Sequence, residues 1–443
     1  MNKNDILTLS AIDYTSEAYG VCKSDGFVVF VKNMMIDETA EVLIMKVLAH
    51  QAYGRIHKLI KEHPERVTER CPIAKQCGGC QIQHMSYAHQ GVFKTKLVET
   101  QFKRVLNYTQ AIEPIIMMED PWFYRNKSQV PFTIHDTQLS YGFFRAHSHD
   151  ILTMRECFIQ SEDSNHILKS IQAFYHKQQR LPTELRGVLI KKGFNSQELM
   201  LVLVSKHNTV LYQDALKEVL MAQYPMIKVI LVNHNTREDN VLLSDTYYAL
   251  TDQVSIQDTL ERYTFVISAA SFYQVNPVSA VKLYDKAMEY AAIKKTETVL
   301  DLYCGIGTLT LFASQYAKTV IGGEINAEAI KDANENAVLN NIENVEWMHE
   351  DAQSITQSLI KAKRKIDVLI VDPPRKGLDD LTKASILQLK PKRIIYISCD
   401  PATLVRDLKV LVEHYDINKV CPVDMFPHTI HVETVVLLTR VNK

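Results

Sequence analysis

Glu297-Thr298-Val299-Leu300-Asp301-Leu302-Tyr303-Cys304-Gly305-Ile306-Gly307-Thr308 reads as a buried β-strand running into a glycine turn and a helix. Such a turn brings backbone close to a ligand at the carboxyl edge of a parallel sheet. Gly-x-Gly alone is weak evidence. Asp301 before it and the missing third glycine tilt the reading from a dinucleotide toward S-adenosylmethionine (SAM). Roughly twenty residues on, Val320-Ile321-Gly322-Gly323-Glu324 reads as a second strand ending in an acid that can accept both ribose hydroxyls. A third strand is expected to end near His349-Glu350-Asp351, where an acid can meet the adenine amino group. Each acid alone reads equally as an N-cap or a surface carboxylate; the three together define a nucleoside site.

Two further strand ends carry chemistry. Ile366-Asp367-Val368-Leu369-Ile370-Val371-Asp372-Pro373-Pro374-Arg375-Lys376-Gly377 is a buried strand followed by two prolines, which fix φ and hold the turn rigid. Asp372 is thereby set against the methyl-donor site. Amino-group methylases use a similar turn with an aromatic residue where Arg375 stands, which disfavours an amino target. Arg393-Ile394-Ile395-Tyr396-Ile397-Ser398 runs into Cys399-Asp400-Pro401, a thiol at a strand's carboxyl end just before a helix. A helix N-terminus lowers a thiol pKa from its free value of about 8.5. Cys399 therefore reads as a nucleophile or, blandly, as a small buried residue. Near the end, Phe426-Pro427-His428-Thr429-Ile430-His431-Val432-Glu433-Thr434 offers three titratable groups before a last strand. Any of His428, His431 and Glu433 can be a base, and the histidines read equally as loop residues.

A methyl donor, a thiol and a base suit one reaction. C5 of uracil is a poor nucleophile. A thiolate adding to C6 makes an enolate whose C5 can attack the sulfonium methyl, after which a base must remove the C5 proton so that the thiol can leave. A base inside folded RNA must first be turned out of its stack.

Of 443 residues, 46% are apolar and 23% charged, which excludes a largely disordered, collagenous or repeat-only chain. The net charge is -1, so nucleic-acid contact must use a local patch. No run of 18 apolar residues, no signal-peptide core and no lipidation motif appears. The chain is expected to be cytoplasmic, with no membrane partner. Residues 1–58 look like a small β module of OB type. Its runs Gly26–Val31 and Glu41–Val47 are bounded by turns such as Lys23-Ser24-Asp25-Gly26. Residues 50–110 hold ten Lys and Arg against four Asp and Glu, either a solvated helix face or a phosphate-contacting stripe. The stretch 112–265 alternates β-rich runs with amphipathic helices and holds no motif that defines its chemistry. Residues 277–443 alternate strand and helix regularly, as in a parallel sheet covered on both faces.

Eight cysteines in a reducing compartment do not suggest a disulfide framework. Cys71-Pro72-Ile73-Ala74-Lys75-Gln76-Cys77-Gly78-Gly79-Cys80 places three thiols within ten residues. Its Gly-Gly pair lets backbone amides point at sulfur. Zinc and an iron–sulfur cluster both accept four thiolates, and spacing does not choose between them. The C-x5-C-x2-C spacing argues against a radical SAM enzyme. Cys157 is the best remaining fourth ligand, with His84 behind it.

These residues resemble the RNA uracil-5 methyltransferases, specifically the 23S rRNA branch, over nearly the whole chain. The resemblance implies an α/β fold. Its parts would be an N-terminal OB-like TRAM barrel (1–58), a central α+β domain with an iron–sulfur cluster (59–265) and a C-terminal Rossmann-like SAM-dependent methyltransferase domain (266–443). Cys71, Cys77, Cys80 and Cys157 match the ligands of a 4Fe–4S cluster. In Ser268-Ala269-Ala270-Ser271-Phe272-Tyr273-Gln274-Val275-Asn276, Gln274 would touch the cofactor near the target base. Tyr303, Glu324 and Asp372 match other SAM-binding positions, Cys399 the nucleophile, and Glu433 the proton-abstracting glutamate, which decides between it and the histidines. The tRNA branch lacks the barrel and cluster segments, so the resemblance implies 5-methyluridine formation in 23S rRNA; the chain is expected to be a monomer. One departure is Ile36-Asp37-Glu38, where many TRAM domains have Pro-Gly-Glu. Two other readings compete: methylation of a different RNA atom with a structural Cys399, and an RNA-binding assembly factor without turnover.

Overall fold

The computed structural model describes residues 1–441 apart from 25, 147, 238 and 240. Asp25 of the predicted turn and the last two residues of the chain lie outside them. Strands β1 (Ile6–Tyr14), β2 (Gly20–Ser24), β3 (Phe27–Lys32), β4 (Thr39–Val47) and β5 (Gln51–Lys61) close into a barrel in the order β1-β2-β3-β5-β4. Closure leaves no free sheet edge. Val29, Val31, Val42 and Ile44 alternate into its core, the period-2 pattern of a half-buried strand. In the Ile36-Asp37-Glu38 turn, Asp37 adopts φ +63°, a left-handed conformation that Asp tolerates better than most residues. Glu38 can then turn inward, fully buried, to accept from Met35 N (2.8 Å) and Arg66 Nε (2.5 Å).

After the cysteine-bearing segment comes α1 (Tyr87–Leu106), capped by Ser86. Next follow β6 (Lys127–His135), β7 (Gln138–Phe144), β8 (Ile151–Thr153), α2 (Glu162–His176), β9 (Leu185–Lys192), β10 (Leu199–Ser205), α3 (Gln213–Gln223), β11 (Ile227–His234) and β12 (Tyr247–Ala249). These strands form a sheet in the order β12-β11-β10-β9-β6-β7-β8. Every residue of β10 is buried because both faces are covered. Leu199, Leu201 and Leu203 pack with Ile167 of α2 and Leu216 of α3, while Met200 and Val202 join the core of the C-terminal part. A hairpin of β13 (Ile256–Leu260) and β14 (Tyr263–Ile267) leads onward.

The C-terminal part runs α4 (Pro277–Ala291), β15 (Thr298–Leu302), α5 (Thr308–Ser314), β16 (Thr319–Glu324), α6 (Ala327–Leu339), β17 (Val345–His349), α7 (Ala352–Lys361), β18 (Val368–Val371), α8 (Asp380–Leu389), β19 (Arg393–Ser398), α9 (Pro401–Leu411), β20 (Tyr415–Val423) and β21 (Glu433–Arg440). The sheet order is β17-β16-β15-β18-β19-β21-β20. All its pairings are parallel except those of β21, which is antiparallel to both neighbours. Val299 and Ile370 face one core with α4 and α5; Leu300 and Val371 face the other with α8 and α9. Helix α1 falls within 59–265, yet its Val98 and Phe102 pack into this second core with Leu404 and Leu408. Among the described residues, no helix is long and apolar enough to cross a membrane.

Candidate active site

The strand order reverses between β15 and β18, which opens a crevice at the carboxyl ends of the strands. A cavity of about 680 Å³ lies there, within the ~300–1,000 Å³ of ordinary ligand pockets. Gln274, Tyr303, Glu324, Asp351, Asp372, Cys399 and Glu433 all line it. Residues spread from Gln274 to Glu433 thus meet at the edge where the five parallel strands end, joined there by the loop before α4 and the start of the antiparallel β21.

The turn after β15 is built from left-handed residues: Tyr303 (φ +68°), Gly305 (+55°) and Gly307 (+84°). A Cβ on Gly307 would meet the Trp347 ring at 2.8 Å. Gly305 N donates to Glu324 Oε2 (3.2 Å) and Asn326 N to Glu324 Oε1 (2.9 Å), so that carboxylate is fixed by backbone on both sides. Asp301 does not line the cavity. It braces the turn from beneath, accepting from Thr310 Oγ1 (2.6 Å), and burial pushes its carboxyl up to about 7. Asp351 lines the cavity and also caps α7, accepting from Ser354 N (3.0 Å) and Ser354 Oγ (2.6 Å); those bonds hold its carboxyl below the usual range. Asp351 is thus the N-cap of α7 and at the same time part of the cavity wall. Gln274 meets the Tyr284 hydroxyl, which lies 3.3 Å from Thr308 Oγ1 in the glycine turn.

Cys399 and Glu433 adjoin because of strand register. Ser398 of β19 pairs with Thr434 of the antiparallel β21. Cys399 is the next residue beyond Ser398, and Glu433 the one before Thr434, so both emerge at the same end of the ladder. Burial, then Asp372, pushes the Glu433 carboxyl well above the ordinary range, against Arg375. Loss of solvent pushes Asp372 up to about 7.

One expectation fails here. The helix after Cys399 does not lower its thiol; burial, Glu433, Asp372 and Asp400 push it up to about 12, and Arg375 opposes them. The free amides of α9 are taken by Asp400 Oδ1, which accepts from Ala402 N (2.9 Å) and Thr403 N (3.0 Å). The cap carboxylate, not the thiol, receives the helix terminus. His428 and His431 do not line the cavity; burial pulls them down to about 3 and about 4. Among the residues that line it without an assignment from sequence are Arg375 and Phe272. Arg375 is the exposed cation facing the thiol and Glu433, and Phe272 presents a ring that is 65% exposed. Arg375 was legible only as the absence of an aromatic, and nothing in the sequence marks the exposure of Phe272.

The four candidate cysteine ligands line a second cavity of about 150 Å³, which His84 does not reach. Among the described residues, no group of three or more His, Cys, Asp or Glu is arranged to hold a metal ion. The expected metal centre is thus not present as a single-ion site. The donor set nonetheless suits a larger soft group. Amides of Ile73 and Ala74 favour the thiolate of Cys71, that of Gly79 the thiolate of Cys77, and those of Ile159 and Gln160 the thiolate of Cys157. Burial works against all four and pushes Cys80 up to about 12.

The basic stripe over 50–110 is broken by folding. Lys94 is fully buried against Asp424, and Arg66 is held by Glu38. Arg55, Lys58 and Lys61 on β5, and Lys103 and Arg104 at the end of α1, remain exposed.

A parallel sheet with a nucleoside crevice, carrying a thiol and a carboxyl at its edge, defines a SAM-dependent methyltransferase. The family model described as tRNA (uracil-5-)-methyltransferase matches residues 92–441, and the chain belongs to that family. An uncharacterised RNA methyltransferase of Bacillus cereus is 41% identical over 100% of this chain and 98% of its own length. One of Staphylococcus aureus is 38% identical over 98% of each chain. The crystal structure of Pyrococcus abyssi tRNA (uracil-54, C5)-methyltransferase with S-adenosyl-L-homocysteine superposes with a TM-score of 0.76 at 25% identity, covering 97% of this chain and 99% of that one. Since that enzyme is named for tRNA and shares almost the full length, overall layout does not by itself separate rRNA from tRNA as substrate.

Proposed function

We propose that this chain transfers a methyl group from SAM to C5 of uridine in 23S rRNA through a covalent bond between Cys399 and C6. The observation that carries this reading is the β19–β21 register, which sets Cys399 beside Glu433 at the mouth of the nucleoside crevice. Glu324 accepts the ribose hydroxyls, Asp351 meets the adenine edge, and Gln274, Tyr303 and Asp372 complete the cofactor site. Cys399 Sγ, as thiolate, adds to C6 of a flipped uracil, and the C5–C6 π electrons pass into an enolate. C5 attacks the methyl carbon, the carbon–sulfonium bond breaks, and S-adenosylhomocysteine remains. Glu433 then takes the C5 proton, the double bond re-forms and the thiolate leaves. A carboxyl raised by burial is a stronger base than one in water.

In the same reading, Cys71, Cys77, Cys80 and Cys157 would hold a 4Fe–4S cluster, which would supply a covalent cross-link between the segment before α1 and that before α2. The domain limits 1–58, 59–265 and 266–443 belong to this reading too, with the barrel and its exposed Arg55, Lys58 and Lys61 as an RNA-contacting module. The P. abyssi enzyme's name favours tRNA as the second reading.

The test is methylation of unmodified 23S rRNA and of unmodified tRNA with labelled SAM, followed by nucleotide-resolution mapping. Label on C5 of an rRNA uridine is expected. Label confined to tRNA would overturn the rRNA assignment alone; label on another atom would overturn the uridine chemistry.

A further inference from the structure

His428 stands five positions before Glu433, in the loop between β20 and β21, and does not touch the active-site cavity. It is 3% exposed with φ +68°, a left-handed backbone that a non-glycine residue holds only when its surroundings impose it. Those surroundings come from the cysteine-bearing part of the chain. Gln81 N and Ile82 N, directly after Cys80, both donate to His428 O (3.1 Å each). Gln90 accepts from His428 N (2.8 Å), and its side-chain amide lies 3.1 Å from His428 Nδ1. The ring of Trp122 stacks on His428 at 3.8 Å. Above that stack sits Arg70, the neighbour of Cys71, at 5.1 Å from the Trp122 ring and 4.6 Å from that of Phe158, the neighbour of Cys157. Tyr124 packs with Cys80 and Cys157 and donates to Pro427 O (3.1 Å). Gln81, the residue after Cys80, thus holds His428 directly, Arg70 and Phe158 reach it through the Trp122 ring, and Tyr124 holds the residue before it.

We propose that His428 is a positioning residue through which the four-cysteine site sets the orientation of Glu433, so that a change at that site alters proton abstraction and leaves thiol attack alone. This rests on the uridine chemistry above, in which attack and abstraction are separate steps. The geometry supports that split: among the described residues no backbone hydrogen bond runs from residues 71–84 to β19, which Cys399 follows, whereas Gln81 and Ile82 hold the loop that leads to Glu433.

Asn tolerates the left-handed region and keeps an amide for Gln90, whereas a β-branched residue is an outlier there. The experiment compares His428→Asn, His428→Val and Gln90→Leu, following formation and decay of the protein–RNA adduct on denaturing gels. In His428→Val and Gln90→Leu, adduct should form at the wild-type rate and decay about 10²-fold more slowly, the cost of a misplacement of about 1 Å. His428→Asn should decay within a few-fold of wild type. A second readout needs no turnover: Trp122 emission, isolated as the difference from a Trp122→Phe variant, should shift when Cys77→Ser is introduced. Unchanged decay in both His428→Val and Gln90→Leu, equal loss in Asn and Val, or Trp122 emission indifferent to Cys77→Ser would each overturn the proposal. Absence of any adduct in the wild type would instead remove the covalent chemistry beneath it.

Discussion

Lys94 Nζ lies 2.6 Å from Asp424 Oδ1, and neither side chain is exposed. The same ammonium donates to Phe426 O at 3.0 Å. Helix α1 is thereby tied to the loop that leads to Glu433, across more than three hundred residues of sequence. Removing one partner leaves an uncompensated buried charge, which costs about 3–5 kcal/mol. Lys94→Ala should therefore lower the thermal midpoint by several degrees. Lys94→Met combined with Asp424→Leu should recover most of it, since apolar replacement of a buried pair is often neutral or better. Equal midpoints for wild type and Lys94→Ala would show that the pair does not hold the loop.

Asp301 gives a pH signature. Its folded carboxyl is raised by burial to about 7, above an ordinary value of about 3.9. The folded chain keeps a proton that the unfolded chain has lost. Its contribution is fully present below about pH 4 and falls at up to about 1.4 kcal/mol per unit until about pH 7. Asp301→Asn removes this slope. Thermal midpoints of the two proteins should differ more, in favour of the variant, at pH 8 than at pH 4.5. Parallel curves would contradict the burial argument.

Much of this could be read from the chain before folding, and the failures share one cause. The strand ends at Tyr303, Glu324, Asp372 and Cys399 are local events. A β-branched run, a glycine or proline turn and a polar residue occupy a dozen positions, so they are legible. What escaped depends on partners far along the chain. Lys94 sits among basic residues and reads as surface until Asp424 arrives beside it. The Cys399 thiol reads as lowered by a helix end, because nothing local says that Asp400 takes the amides or that Glu433 lies across a ladder. The bracing of His428 comes from Gln81 and Ile82, Gln90 and Trp122, which share no motif.

Arg375 is the favourable charge left to Cys399. With the thiol at about 12, the thiolate fraction, and so the rate of adduct formation, should rise about tenfold per unit between pH 7 and 9. Arg375→Met should slow this step by up to about tenfold, an effect that shrinks at high salt because the guanidinium is exposed. Single-turnover rates against pH at two ionic strengths check it. A pH-independent rate in the wild type would show that substrate binding supplies the thiolate by another route.

Replacement of the base should separate the two halves of the reaction. Glu433→Gln keeps the shape of the group but cannot take a proton. Methyl should still reach C5 in a single turnover, while product release slows by about 10²–10⁴-fold and the methylated adduct accumulates on gels. Normal turnover would move the role to another residue.

RNA carrying 5-fluorouridine cannot lose a C5 proton, so the methylated ring should stay bonded to its nucleophile. After nuclease and protease digestion, tandem mass spectrometry should find the nucleotide on the peptide containing Cys399, and Cys399→Ala should give no adduct and no methyl transfer while still binding SAM. A nucleotide attached to a different residue, or methylation that persists in Cys399→Ala, would contradict it.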